Sequence, residues 1–401
     1  MKVRQATVKD FDRILELTGY CYGFDANAAR DRYWSRYEYT FDENYCLEID
    51  NKVVANTRCI PLEQNVRGKW LKMGGIAMVV SDPVTRRKGY VREIMNYCLK
   101  KMSEEKYPVT TLYPFKDTFY AAFGYVNAPP AVRMNINPKY LSKWKYLPKG
   151  YTVERLPHSE AFDIYKSIHN KAMENIHGGV RRSEKRWKEF SGPSPIWYAV
   201  AFNEKKEPEG FMQYRSKGFS TGFDWSEDGK ISVNEMYTLT PQARQALYNF
   251  LFLHTDQIIE VAVPINPNES DHYTWLQNYY ITSLSPANIF MARIVDVKDT
   301  IQNMMVPVEG QLKLKITDNH IAKNTQTFEI TAEKNKLKVN ALGDKPADTE
   351  MTIEGITSLV YGLLPATELK PFNWLTNSKK ADIDLLGKWF ELKKPWLTEG
   401  F

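Results

Sequence analysis

The sequence predicts an α+β protein built of three successive units, and three observations carry that prediction. Its 401 residues exceed what one typical hydrophobic core organises. Strand-like apolar runs alternate repeatedly with helical segments, so neither element type dominates. An order of strand, proline and amphipathic helix occurs at 76–102 and again at 231–254, which reads as a weak internal repeat of one fold. The expected units are 1–148, 149–285 and 286–401.

Composition sets the broad class. Apolar residues make up 43% and charged residues 25%, ordinary for a soluble globular protein. No apolar run approaches the roughly 20 residues of a membrane span. The opening Met1-Lys2-Val3-Arg4-Gln5 lacks the apolar core of a secretion signal, so the expected location is the cytoplasm. Cys21, Cys46, Cys59 and Cys98 form no C-x-x-C pair and have no zinc-like spacing, so they read as small buried thiols in a reducing compartment. The net charge of +6 is spread along the chain, and its densest run is Arg86-Arg87-Lys88. A nucleic-acid binder carries a longer basic stripe with interleaved aromatics. A short run suits a small polyanion such as a cofactor's phosphates.

In the first unit, Val3–Thr7 suits a short strand, and Asp10 is placed to cap a helix carrying Phe11, Ile14, Leu15 and Leu17. Two strands flank the turn Asp50-Asn51-Lys52, and a second turn falls at Arg67-Gly68-Lys69. Gly75–Val80 is apolar enough for a buried central strand, stopped by Ser81-Asp82-Pro83. Beyond Gly89, Val91, Met95, Cys98 and Met102 share one helix face. Thr110–Tyr113 is a further strand. The second unit offers a helix at Ala161–Ile176, strands at Ile196–Asn203, Gly210–Arg215 and Ile231–Tyr237, and a helix after Pro241. In the third, a helix starts near Asp296. Alternation at Leu312, Leu314 and Ile316, at Phe328 and Ile330, and at Leu337 and Val339 gives half-buried strands. Ile353–Leu364 and Ile383–Phe390 are expected to pack on them as helices.

The sharpest chemical signal runs from Val79 to Arg92, where a strand ends in a basic turn with one glycine and a helix begins. The first amides of a helix lack partners within it and carry the positive end of its dipole. A pyrophosphate can accept hydrogen bonds there, and Gly89 lets the backbone approach closely. The same residues also fit a solvated basic turn, and the motif alone does not choose between the two. In the second copy, Pro241-Gln242-Ala243-Arg244-Gln245 replaces Pro83–Gly89 and lacks both the glycine and the basic cluster.

Arg86-Arg87-Lys88-Gly89-Tyr90-Val91-Arg92 resembles the acetyl-CoA motif R-x-x-G-x-G/A of the GNAT acetyltransferases, with Val91 in place of the last small residue. It is more similar to the R-R-x-G form of the enhanced intracellular survival (Eis) subfamily. Phe119-Tyr120-Ala121-Ala122-Phe123-Gly124-Tyr125 looks like that subfamily's Y-x-x-F-G-Y signature. The three-part outline also resembles its architecture: a catalytic GNAT domain, a degenerate second one, and a C-terminal domain similar to sterol carrier proteins.

The resemblance implies an acetyl-CoA-dependent N-acetyltransferase that needs no metal. Val79, Val80 and Ser81 would meet the pantetheine arm. Arg86, Arg87, Lys88, Gly89, Tyr90, Val91 and Arg92 would hold the pyrophosphate, with Phe115 and Lys116 as further cofactor contacts. Tyr120 matches the general acid, since a phenol with a pKa of about 10 can protonate a departing thiolate. Outside its F-G-Y context, Tyr120 reads better as a packed aromatic. The family's base is the carboxylate of a terminal Phe, here Phe401, which would take a proton from the substrate ammonium. Phe24, Asp25 and Trp34 could form an aromatic, acidic mouth for a cationic acceptor, although each taken singly reads better as helix packing. The acceptors implied are aminoglycosides, polyamines or protein lysines, and the assembly implied is a homohexamer. No histidine precedes His158, which rules out a His-based mechanism within the first unit. His169 and His177, eight residues apart, read as ordinary histidines rather than a metal pair. The rival reading is a non-catalytic lipid- or partner-binding protein built around the third unit.

Overall fold

The computed structural model describes residues 1–192, 196–217, 229–268, 281–287 and 289–401. Three sheets organise them. In the first, β1 (Lys2–Gln5), β2 (Asn44–Ile49), β3 (Lys52–Val66), β4 (Lys69–Ser81) and β5 (Val109–Leu112) lie side by side. Two tight turns build this sheet. Asp50 and Asn51 take φ of 49° and 59°, and Arg67 and Gly68 take 55° and 85°. Positive φ at both central residues gives the twist a two-residue hairpin needs.

Two helices precede β2. The helix α1 (Phe11–Tyr22) buries Phe11, Ile14, Leu15 and Leu17 on the sheet, as its periodicity predicts. Asp10 precedes it but does not cap it by hydrogen bond. Its carboxylate is held instead by Arg4 at 2.8 Å and by the Thr7 amide at 2.7 Å. The helix α2 (Ala26–Thr40) was not foreseen, because its exposed polar residues leave no apolar stripe to detect. After β4, the helix α3 (Tyr90–Glu104) buries Ile94, Met95, Cys98, Leu99 and Met102.

The second sheet repeats this plan. β8 (Thr152–Leu156), β10 (Trp197–Phe202), β11 (Pro208–Lys217), β12 (Lys230–Thr238) and β13 (Glu260–Ile265) follow in spatial order, with α5 (His158–Met173) after β8 and α7 (Pro241–Phe252) after β12. The two sheets exchange strands across the expected boundaries at 148 and 285. β7 (Val132–Ile136) leaves the first unit to pair with β13, and β15 (Met291–Ile294) returns from the third region to pair with β5. These strands supply hydrogen bonds to the far edge of a neighbouring unit's sheet, a pairing that local sequence pattern does not encode.

The third sheet comprises strands 310–317, 326–333, 336–343, 349–352 and 375–377, with helices Ile353–Tyr361 and Lys380–Trp389. It shares one apolar core with the first sheet: Ile60, Leu62 and Met73 join Leu314, Leu359 and Phe390. Arg67 at the tip of the β3–β4 hairpin donates to the Val360 carbonyl at 2.6 Å and the Leu359 carbonyl at 3.0 Å. The residues after 390 form no regular element and run back across all three units. No described helix is long and apolar enough to cross a membrane.

Candidate active site

The groove begins with a strand that parts from its neighbour. β4 pairs in parallel with β5 only from Met73 to Ile76, although it continues to Ser81. Its register with β3 shifts between Asn56 and Arg58, and Met78 takes φ of 49°. A positive φ at a non-glycine residue costs on the order of 1–3 kcal/mol, and a bulge holds it there. The edge of β4 beyond Ile76 therefore keeps free backbone groups facing a cavity of about 600 Å³. Val79, Ser81, Arg86, Val91, Phe115 and Tyr120 are among its walls. Strand alternation sends Val80 the other way, and its side chain is buried in the core with Phe11 and Leu17. Val80 can therefore offer the groove no side chain.

The turn after β4 is firmly tied. Asp82 is buried, accepts from the Val84 amide at 3.2 Å and from Arg13, and forms an ion pair with Lys52 at 3.7 Å. Gly89, with φ of 84°, is the N-cap residue of α3, and a Cβ there would meet nothing within 4 Å. With no capping side chain, the first amides of α3 stay available to an anion. Arg86, Arg87, Lys88 and Arg92 are exposed around them. Lys116 stands apart from this turn, on a second opening it shares with Phe115 and Phe401.

Tyr120 sits on the short helix Asp117–Ala121 and is 2% exposed. Phe115 and Phe119 meet its ring edge-on at 5.4 and 5.1 Å. Burial raises its pKa, and nearby Tyr22 and Tyr125 add to the shift, so the phenol stays protonated at neutral pH.

A second cavity, of about 360 Å³, lies between α1, α2 and the helix α6 (Glu184–Phe190). It shares Tyr22, Ala77, Met78 and Phe401 with the groove, so the two spaces meet at the strand bulge. Phe401 is placed there by its tail. The Trp396 amide donates to the His177 carbonyl at 2.7 Å, and the Tyr113 hydroxyl donates to the Leu397 carbonyl at 3.3 Å. Glu399 is buried and accepts from Arg186 at 2.8 Å and also from Arg182. Burial works to raise the Glu399 carboxyl, but the two arginines outweigh it and hold it below its ordinary value. Arg186 also donates to the Gly400 carbonyl. The Phe401 ring lies 5.4 Å from that of Tyr113, and a Cβ at Gly75 would come within 3.4 Å of it.

Phe24, Asp25 and Trp34 line neither cavity. Asp25 caps α2, accepting from the Asn27 amide at 2.8 Å and the Ala28 amide at 3.3 Å. Phe24 stacks on Tyr33, and Trp34 packs edge-on against Phe11. Sequence reasoning missed Tyr22, Arg36, Arg186 and Glu189, which do line the second cavity, and it missed Glu399. Only Glu399 left a signal: a lone acid in an apolar tail needs a buried partner. His169 and His177 are both buried, and their pKa values fall to about 3 and about 4, mainly by burial.

Known proteins place this arrangement. A family model described as an acetyltransferase (GNAT) domain matches residues 2–128, and another so described matches 178–294. A sterol carrier protein domain matches 297–398. N-acetyltransferase Eis of Mycobacterium tuberculosis is 21% identical over 208 residues, covering 50% of this chain and 49% of that protein. The chain thus spans about half the length of the curated relatives it matches. A GCN5-related N-acetyltransferase from Anabaena variabilis superposes with a TM-score of 0.87 at 19% identity, covering 100% of both chains. Eis1 from Mycobacterium abscessus does so with 0.80 at 16%, again over 100% of each. At these identities the structural likeness is one of fold. The parted strand, the glycine-capped helix and the three matched domains together make this chain an Eis-like member of the GNAT acetyltransferase superfamily, with two GNAT domains followed by a sterol-carrier-like domain.

Proposed function

We propose that the protein transfers the acetyl group of acetyl-CoA to a primary amine, directly and without an acyl-enzyme. The observation that carries this reading is the free edge of β4 beyond Ile76, which leads from the amides after Gly89 to Tyr120. The pantetheine arm pairs with that edge at Val79 and Ser81, and the pyrophosphate lies on the first turn of α3 among Arg86, Arg87, Lys88 and Arg92. The main chain of Tyr90 and Val91 is part of that turn.

The amine enters from the second cavity and attacks the thioester carbon. The N–C bond forms, the C–S bond breaks, and the Tyr120 hydroxyl gives its proton to the departing sulfur. The carboxylate of Phe401 takes the proton that the amine loses. Holding both reactants at the junction of two cavities contributes by orientation. Family resemblance extends the reading to a cytoplasmic homohexamer and to acceptors of the aminoglycoside, polyamine or lysine kind.

Isothermal titration with acetyl-CoA, paired with release of free CoA thiol across a panel of amines, tests the proposal. One acetyl-CoA bound per chain and amine-dependent thiol release are expected. A chain that binds no acetyl-CoA at micromolar concentration is not this enzyme.

A further inference from the structure

The charges of the second cavity point to a different acceptor class from the polycations that the family resemblance implies. Its walls are largely apolar and aromatic, formed by Phe11, Ile14, Leu15, Tyr37, Ile60 and Phe190. Three guanidinium groups reach it, from Arg36, Arg58 and Arg186, and apart from the terminal carboxylate of Phe401 at the junction they face one carboxylate, Glu189. That carboxylate is already taken. It accepts from Arg58 at 2.7 and 3.0 Å and from Arg186 at 3.0 Å. Arg58 and Arg186 are neutralised again from behind, by Glu43 at 2.6 Å and by Glu399 at 2.8 Å.

Arg36 differs from both. Among the described residues, no carboxylate lies within ion-pair distance of it. Burial lowers its pKa, with Glu189 pulling the other way and Arg32 and Arg186 adding to the fall. Its side chain is nonetheless exposed, so solvent rather than a carboxylate meets the charge, and it stays open to an anion. A polycation would bring several ammonium groups into this space, where the Phe401 carboxylate can meet the reacting one and no further free acid meets the rest. Taking each from water is costly unless it is paired.

We infer that the acceptor is a small monoamine with an apolar or aromatic body and one anionic group, the anion pairing with Arg36 while the amine reaches the junction at Phe401. The inference rests on the acetyltransferase reading and narrows it. The cavity volume of about 360 Å³ falls at the small end for ligand pockets, which agrees with a compact acceptor.

Two matched pairs isolate the anion: phenylalanine against 2-phenylethylamine, and 4-(aminomethyl)benzoate against benzylamine. Spermidine serves as the polycation. Thiol release by the full chain is measured at fixed acetyl-CoA. In at least one pair, the carboxylate-bearing probe is expected to show about 10- to 100-fold higher kcat/KM, the range of a charge-assisted hydrogen bond. Arg36→Gln is expected to bring that ratio close to one. Acetyl-CoA affinity reports whether the variant is folded, because Arg36 does not line the groove. Equal rates within both pairs, no acetylation of any aryl probe, faster acetylation of spermidine, or a ratio that survives Arg36→Gln would each overturn the inference while acetyl-CoA binding persists. Loss of acetyl-CoA binding by the unaltered chain overturns the acetyltransferase reading as well.

Discussion

The two GNAT domains part their central strands in the same way and end with different clefts. In the first, β4 leaves β5 after Ile76; in the second, β12 leaves β13 after Ser232. A helix follows the longer strand in each case. The first helix has Gly89 as its cap and leaves its opening amides free. The second is capped by Thr240, whose hydroxyl accepts from the Ala243 amide at 3.1 Å, and Pro241 has no N–H to offer. The protein has used up its own anion site there. The second cleft is also smaller, about 220 Å³ against about 600 Å³, and Trp396 of the tail forms part of its wall. One tail thus walls the second cleft at Trp396 and reaches the first at Phe401. Parted strands alone do not leave helix amides open to an anion; the cap of the following helix decides that.

The largest expected effect comes from closing the open cap. Gly89→Asp adds a carboxylate that can take the amides of α3 itself and repel a pyrophosphate, in a left-handed conformation that disfavours a side chain. Acetyl-CoA affinity should fall at least 100-fold by titration, with little change in Tm. Unchanged affinity would mean that the diphosphate lies elsewhere.

Tyr120→Phe comes next. Removing a general acid slows chemistry by about 10²- to 10⁴-fold, so kcat should fall within that range. The KM for acetyl-CoA should change little, since the lost hydroxyl acts on the leaving sulfur. A fall in kcat under threefold would remove Tyr120 from the acid role.

Trp396→Ala widens the second cleft without changing the cap of its helix. Truncating a buried tryptophan costs about 3–5 kcal/mol, and the tail that places Phe401 should loosen. Turnover is expected to fall while acetyl-CoA stoichiometry stays at one per chain. A stoichiometry of two would show that Trp396, and not Thr240 and Pro241, keeps the second cleft empty.

This contrast was partly legible in the sequence. Arg86, Gly89 and the apolar stripe of α3 stand close together in the chain, and local chemistry fixes what they do. The absence of glycine near Pro241 was equally plain. The second cavity was not legible, because its walls come from α1, α2, α6 and the tail, and the pairing of Glu189 with Arg58 spans 131 positions. The helix α2 carried no apolar periodicity, so Asp25 looked free to meet a substrate when it caps that helix instead. The exchange of β7 and β15 between sheets depends on edge pairing, which residue patterns near those strands do not specify.

The smallest expected effect concerns acid, and it separates the same two domains. No histidine precedes His158, whereas the second domain buries His169 and His177. His177 joins three units: its Nδ1 accepts from the Arg67 amide at 3.1 Å, its Nε2–H donates to the Tyr361 carbonyl at 3.0 Å, and its own carbonyl holds Trp396. In the unfolded chain a histidine binds its proton near pH 6.5, but folded His177 resists until about 4. The stability it contributes is therefore complete above pH 6.5 and is lost as pH falls from 6.5 through 4. Protonating Nδ1 also removes the acceptor for Arg67, which loosens the path that carries the tail to Phe401. Tm should fall by a few degrees over that window in the unaltered protein and by less in His177→Gln, which begins lower at pH 7. Parallel Tm profiles for the two proteins would take the acid response away from His177 and assign it to His169 and the carboxylates common to both.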